Sequence, residues 1–167
     1  MDSVSVYIHI PFCKNICTYC DFCKVLYNKD WAVNYLKALK SEIEDRYMGE
    51  DVKTIYIGGG TPSSLSLKEI EYLLLLTNLF NKNNLEEFTF ECNIEDVNEE
   101  LLQLLKKYHV NRLSIGIESF DKDNLLFMNR NCNYEDAQKK VELARSLGFN
   151  NINLDLIYAL PNEKIKT

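Results

Sequence analysis

The sequence predicts an α/β fold built on a parallel sheet. Two observations carry this: strand-like and helix-like patterns alternate along the chain, and apolar and polar side chains alternate with period two inside each strand. Of 167 residues, 46% are hydrophobic and 26% charged, enough for one domain with a buried core.

Val4 to Ile10 alternates strictly, with Val4, Val6, Ile8 and Ile10 on one face. A cysteine-rich loop follows. Trp31, Tyr35, Leu36, Leu39, Ile43 and Tyr47 then recur at helical spacing, with Asp30 as the expected N-cap. Lys53 to Ile57 reads as a short strand ending in Gly58-Gly59-Gly60. Ser66-Leu67-Lys68-Glu69 has capping-box form and opens a helix to about Phe80. Glu86 to Cys92 is the third strand, and a helix from about Glu99 to Tyr108 follows it. Asn111 to Glu118 is the fourth strand. A helix opened by Asn133 and closed by Gly148 leads to the last strand, Asn151 to Ile157. Strands and helices in this order imply right-handed crossovers.

The strands have one aliphatic face: Ile55 and Ile57; Phe88 and Phe90; Leu113, Ile115 and Ile117; Ile152, Leu154 and Leu156. That face is expected to meet helices. The other face carries Tyr7, His9, Thr54, Tyr56, Thr89, Glu91, Ser114, Glu118, Asn153 and Asp155. A closed eight-stranded barrel fills its interior with branched aliphatic side chains, and this set is too polar for that. Parallel sheets are nearly always covered on both sides. The polar face is therefore expected to line a ligand cavity at the C-terminal strand ends, rather than to stand in solvent.

The net charge of −6 argues against broad binding to nucleic acid or anionic lipid. The longest apolar run, Leu73 to Leu76, is far too short for a transmembrane segment. The first residues do not resemble a signal peptide, so the sequence reads as cytoplasmic.

Four of the six cysteines lie between Cys13 and Cys23. A disulfide framework spreads its cysteines along the chain, whereas this crowding suggests thiolates gathered around a metal. Three cysteines in a tight C-x3-C-x2-C loop, Cys13, Cys17 and Cys20, suit three corners of a 4Fe-4S cubane and leave the fourth iron without a protein ligand. Spacing alone favours the cluster and leaves open a zinc site completed by Cys23 or His9.

Tyr7-Ile-His-Ile-Pro-Phe-Cys13, the cysteine loop and Tyr19-Cys20-Asp21-Phe22 resemble the opening of the oxygen-independent coproporphyrinogen III oxidase family of radical S-adenosylmethionine (SAM) proteins. The Cys-Asp-Phe step near the start is most similar to that family's HemW branch, described as haem chaperones. The resemblance continues through Gly58 to Ser63, Glu91-Cys92-Asn93, Asn111 to Gly116 and Asp155 to Pro161, and so covers essentially the whole chain. It implies a partial parallel (βα) barrel of the radical SAM type. It also implies a 4Fe-4S cluster on Cys13, Cys17 and Cys20, with SAM chelated by the open iron and cleaved by one electron to a 5'-deoxyadenosyl radical. The electron would come from a donor such as flavodoxin or ferredoxin, and the partners would include haem or a porphyrin.

The resemblance places Tyr7 and Tyr19 against SAM, and Gly59, Gly60 and Thr61 at its amino acid moiety. Glycine there lets backbone groups approach a charged ligand, and no Gly-Lys-Ser/Thr step follows that would mark a phosphate loop. Glu91 falls where the ribose hydroxyls are accepted, the bidentate chemistry also used in dinucleotide folds. Arg130 and Asp155 match further SAM-site positions. Glu118 stands where the family usually has Gln, which adds charge and removes donors. Cys132 stands where the pattern often has His. Cys23 resembles an extra cysteine that is not a cluster ligand. Cys92 reads as a small core residue, and His109 as a helix-end residue.

The family core has six strand-helix units followed by a C-terminal domain. Residues 1–167 read as an incomplete core truncated after about five strands. Asn151 to Ile157 is then expected to be an edge strand with an uncovered aliphatic face.

Overall fold

The computed structural model describes residues 3–130 and 134–161. Five strands form one wholly parallel sheet: β1 (Ser3–Ile10), β4 (Asp51–Gly59), β5 (Glu87–Asn93), β6 (Arg112–Glu118) and β7 (Asn151–Leu156). They lie side by side in chain order, β1-β4-β5-β6-β7. A sheet wound in one direction like this has no central switch point, unlike a doubly wound sheet. The helices are α1 (Lys29–Arg46), α2 (Leu67–Leu76), α3 (Glu99–Lys107), α4 (Lys122–Phe127) and α5 (Tyr134–Ser146). Helices α1 and α2, α2 and α3, and α3 and α5 touch in succession.

Register explains the core. Ile8 pairs with Ile57, Ile57 with Phe90, Phe90 with Leu113, and Leu113 with Ile152. Paired residues in a parallel ladder point to the same side, so one row of large apolar side chains crosses the sheet. Ile10, Ile55, Ile57, Phe88, Phe90, Leu113 and Ile115 are fully buried in it. Leu36 and Ile43 of α1, Leu73 and Leu74 of α2, and Leu102 and Leu105 of α3 complete the core. The α/β class and the two-faced strands are as the sequence predicts.

Local signals are mostly borne out. Ser66 and Glu69 form the reciprocal capping box of α2. Glu69 is buried there and also accepts from the Tyr27 hydroxyl at 2.9 Å. His109 ends α3 with a left-handed φ of 66°, and Gly148 follows α5 with φ 87°.

Several details differ from the sequence reading. The cap of α1 is Asn28, which accepts from the backbone N–H groups of Asp30 and Trp31, so Asp30 lies in the first turn. Trp31 is 61% exposed, and the helix buries Ala32 in its place. Helix α2 ends at Leu76, and Thr77–Leu79 tightens into a 3-10 turn. Two short strands, β2 (Phe12–Cys13) and β3 (Val25–Leu26), pair in parallel and close the base of the cysteine loop. They are too short for a periodicity to reveal. Helix α4, capped by Asp121, is likewise only six residues long. The expected cap Asn133 and Cys132 lie outside the described residues. Among the described residues no helix is long and apolar enough to cross a membrane.

Among the described residues β7 lies at an edge of the sheet, as predicted. Leu154 sits beside the buried Ile115 yet is 40% exposed. An edge strand with an exposed aliphatic row invites pairing with another chain. The chain is therefore expected to self-associate as its concentration rises, and Leu154→Lys to shift sedimentation toward the monomer without changing the circular dichroism of the fold.

Candidate cofactor site

The C-terminal ends of the strands surround a cavity of about 590 Å³. Every site residue named from sequence lines it: Cys13, Cys17 and Cys20 from the loop, Tyr7 and Tyr19, Gly59, Gly60 and Thr61, and Glu91, Glu118, Arg130 and Asp155. Tyr56, Asn93, Arg112, Ser114 and Asn153 join them. The polar parity of the strands had already put Tyr56, Ser114 and Asn153 on this face.

The cysteine loop is held at both ends. At its base the Val25 N–H donates to Pro11 O and the Tyr27 N–H to Cys13 O, each at 2.8 Å. At its far side the Thr18 hydroxyl donates to Phe127 O at 3.0 Å, and the Asn129 amide to Ile16 O at 3.3 Å. Lys24 donates to Cys20 O, and the His9 ring meets Cys23 O at 3.1 Å. Cys13 is 7% exposed, with its sulfur 3.4 Å from the Thr61 hydroxyl. Burial pushes its thiol pKa up, the Thr61 hydrogen bond draws it back, and the neighbouring Cys20 and Cys17 push it up again. The three thiols lie in one loop, and His9, one of the two residues expected to complete a zinc site, has both ring nitrogens engaged, by the Tyr7 hydroxyl and by Cys23 O. A closed zinc site needs four donors on a single ion, whereas a cubane takes each thiolate on a different iron. This donor set suits the cubane. Cys23 is exposed, and Cys92 is buried in the core, its thiol pushed up by burial.

The glycine-rich turn is shaped by the protein's own packing, a reason the sequence did not reveal. A Cβ on Gly58 would lie 2.6 Å from the Glu91 carboxyl carbon, and one on Gly59 2.5 Å from His9 Nδ1. Gly59 also has φ 120°, where other residues are strained. Its N–H donates to Glu91 Oε2 at 3.0 Å, and the Tyr56 hydroxyl donates to Oε1 at 2.5 Å. Each carboxylate oxygen keeps a further lone pair for a ligand.

On the opposite wall the β6–β7 register shifts between Gly116 and Glu118. Glu118 takes a left-handed φ of 71° there. Such a bulge re-aims a side chain, and its backbone strain persists only where surrounding structure holds it. The Ser119 N–H to Ile117 O (2.9 Å) and the Ile157 N–H to Glu118 O (2.8 Å) supply that hold. The Tyr19 phenol pKa is raised by burial and by the negative Glu118 carboxyl near it. Arg130 is 6% exposed, not the ordinary surface arginine of a loop. It donates to Asn93 Oδ1 at 2.9 Å and Gly116 O at 2.7 Å, and pairs with Glu95 at 3.2 Å. Asp155 accepts from Asn153 at 2.7 Å and from Ser114 at 3.4 Å. Tyr7 stands at the rim, its hydroxyl 3.1 Å from His9 Nδ1. Sequence reasoning missed Glu95 and Asp96, because acidic residues beside a helix start carry no signal of a tertiary partner.

The sequence model of the Radical SAM superfamily matches residues 7–167. The heme chaperone HemW of Bacillus subtilis is 42% identical over 97% of this chain and 44% of its own length. The oxygen-independent coproporphyrinogen III oxidase of Escherichia coli is 34% identical over 96% of this chain and 36% of its own. The solved structure of coproporphyrinogen III oxidase from Escherichia coli superposes with a TM-score of 0.87 at 33% identity, covering 95% of this chain and 38% of that one. The chain therefore spans less than half the length of these relatives.

Burial raises the Glu118 carboxyl pKa, Arg130 and the Tyr19 hydroxyl lower it, and Asp155 and Glu95 raise it again, the net direction being upward. A carboxyl with a raised folded-state value stabilises the fold fully while protonated, and that contribution is lost as pH rises through the folded value. Glu118→Gln stays neutral throughout. It is expected to gain stability relative to the native chain on going from about pH 4 to about pH 7, read from urea midpoints; a constant difference would count against the shift.

Proposed function

This chain belongs to the radical SAM superfamily, and from that premise we propose that it binds a 4Fe-4S cluster through Cys13, Cys17 and Cys20 and holds SAM in the adjoining cavity, in the service of haem or porphyrin metabolism. The observation that carries the reading is the convergence of the three thiols, the glycine turn and Glu91 on one cavity at the strand ends. When bound, the reduced cluster supplies the electron that cleaves the sulfonium of SAM, taken from a donor such as flavodoxin or ferredoxin.

The protein's own part is to bind, orient and shield. Gly59, Gly60 and Thr61 present backbone and hydroxyl groups beside Cys13, the place for the amino acid moiety. Glu91, fixed from two sides by Tyr56 and Gly59, is pre-set to accept from two vicinal hydroxyls, as a ribose offers. Arg130 is braced by three protein partners, so it contributes fixed charge rather than a mobile arm. Glu118 and Asp155 add negative charge on the wall where a sulfonium and its ammonium group would be welcome. Tyr7 and Tyr19 cover the two sides.

Within the family, the HemW-like reading, a haem-handling protein, leads because that relative is the more similar of the two kinds. The likeness to coproporphyrinogen III oxidase in fold supports the second reading, oxidative decarboxylation of porphyrinogen propionates. In both, residues 1–167 form the cofactor-binding core.

Anaerobic reconstitution tests this. The native chain is expected to turn brown and to show a reduced cluster EPR signal that changes on adding SAM. Cys13→Ala, Cys17→Ala and Cys20→Ala should each lose the cluster, and Cys23→Ala should keep it. Glu91→Gln should weaken SAM binding about tenfold or more, the scale of one lost charged hydrogen bond. A colourless protein holding one tightly bound zinc would sink the proposal.

A further inference from the structure

We infer that Asp96 is a positioning residue for the cysteine loop: its carboxylate clamps the loop to the glycine-rich turn from both sides of Cys13 and sets how firmly the cluster is retained. The inference rests on the cluster reading above for its second half only. Asp96 ends the 3-10 turn Ile94–Asp96 that follows β5. One carboxylate oxygen, Oδ1, takes the Lys14 ammonium at 2.6 Å, and Lys14 is the neighbour of Cys13 in the chain. The other, Oδ2, takes the Ser63 hydroxyl at 2.8 Å, and Ser63 Oγ in turn accepts the Asn93 N–H at 3.1 Å. Ser63 belongs to the same turn as Thr61, whose hydroxyl meets the Cys13 sulfur. One side chain therefore ties together the loop, the glycine turn and the end of β5.

The turn that carries Asp96 is itself anchored. Lys140 of α5 donates to Ile94 O at 3.0 Å and Glu95 O at 2.8 Å, and Glu95 pairs with Arg130. The Asp96 side chain is only 10% exposed, whereas that of Lys14 is more than half exposed. A pair of two mobile surface groups contributes little. Here one partner is already fixed by Ser63 and by the turn, so the ordering cost falls on Lys14 alone, and charge-assisted hydrogen bonds gain strength in that setting. The other tethers of the loop lie at its base and on the α4 side. The Asp96 clamp constrains the stretch just after Cys13, on which the first two thiols depend for their separation.

The test compares Asp96→Asn, which keeps the size and an acceptor for Ser63, with Lys14→Met and the double variant. Lys107→Met serves as the control; it breaks the surface pair with Glu71, far from the cavity lining. In the reconstituted chain, iron loss to a chelator should accelerate about tenfold or more in both single variants, no further in the double, and not in the control, with thermal midpoints of the apo chain alike. Hydrogen exchange of the apo chain gives a readout that needs no cluster. Amides of residues 14–24 should exchange faster in both single variants while those of the five strands stay unchanged. Unaltered exchange in residues 14–24, or additive effects in the double variant, would overturn the clamp. Should the native chain take up no cluster, the reading above fails, and exchange still decides the clamp.

Discussion

Two main-chain hydrogen bonds set the geometry of everything at the top of the sheet. The Gly60 N–H donates to Ile10 O and the Thr61 N–H to Phe12 O, both at 2.8 Å. They carry the pairing of β1 with β4 beyond the point where the sheet ends, so the entry to the cysteine loop and the glycine turn advance as one ribbon. A Cβ on Gly60 would meet Pro11, Ile10 and Phe12 backbone at about 3 Å, so this approach needs glycine. Cys13 is placed by that ribbon, and the loop beyond it is closed by β2 and β3.

The same ribbon explains the sign of the cavity. With the strands parallel and wound in chain order, residues of one parity collect at one mouth, and here they include Glu91, Glu118 and Asp155. The cations that reach the cavity are already engaged. Arg112 serves Thr89 and Glu87, Arg130 serves Asn93, Gly116 and Glu95, and Lys24 serves Cys20 and Phe22. Their charge is partly spent on protein partners, while the carboxylates of Glu91 and Asp155 keep open lone pairs. Such a wall favours a ligand bearing positive charge.

What the sequence disclosed followed from repetition. The period-two strands gave the sheet, its buried face and the polar face, because burial on one side forces that alternation. The Ser66–Glu69 box was legible since both partners lie in one helical turn. The site residues were named by motif, and parity alone already pointed Glu91 and Asp155 toward the cavity. The rest depended on contacts between segments distant in the chain. Nothing local distinguishes Asp96 or Glu95 from solvated acids at a helix start, yet Lys14 and Arg130 reach them from 82 and 35 positions away respectively. The bulge at Glu118 was invisible for a related reason: Leu113, Ile115 and Ile117 alternate through it without a break, and only the pairing with β7 reveals the extra residue. The role of Gly58 was hidden too, since its neighbour Glu91 is on the next strand.

The division of labour along the longer relatives follows from which stretch they share with this chain. Relatives named as heme chaperones and relatives named as coproporphyrinogen oxidases align with nearly all of this chain, and each extends well beyond the length it covers. A stretch common to both cannot by itself hold what separates them. On the proposed reading the features found in it serve one end: three thiols held by a tied loop, a carboxylate fixed by Tyr56 and Gly59, and an anionic wall. These are requirements of a small charged cofactor, whose size fits a cavity of about 590 Å³. A tetrapyrrole carries propionate carboxylates at the edge of a broad ring, and the Glu91, Glu118 and Asp155 carboxylates of this lining would repel them. On the proposed reading, selection between tetrapyrroles belongs to surfaces other than this cavity, and the cavity supplies the cofactor side.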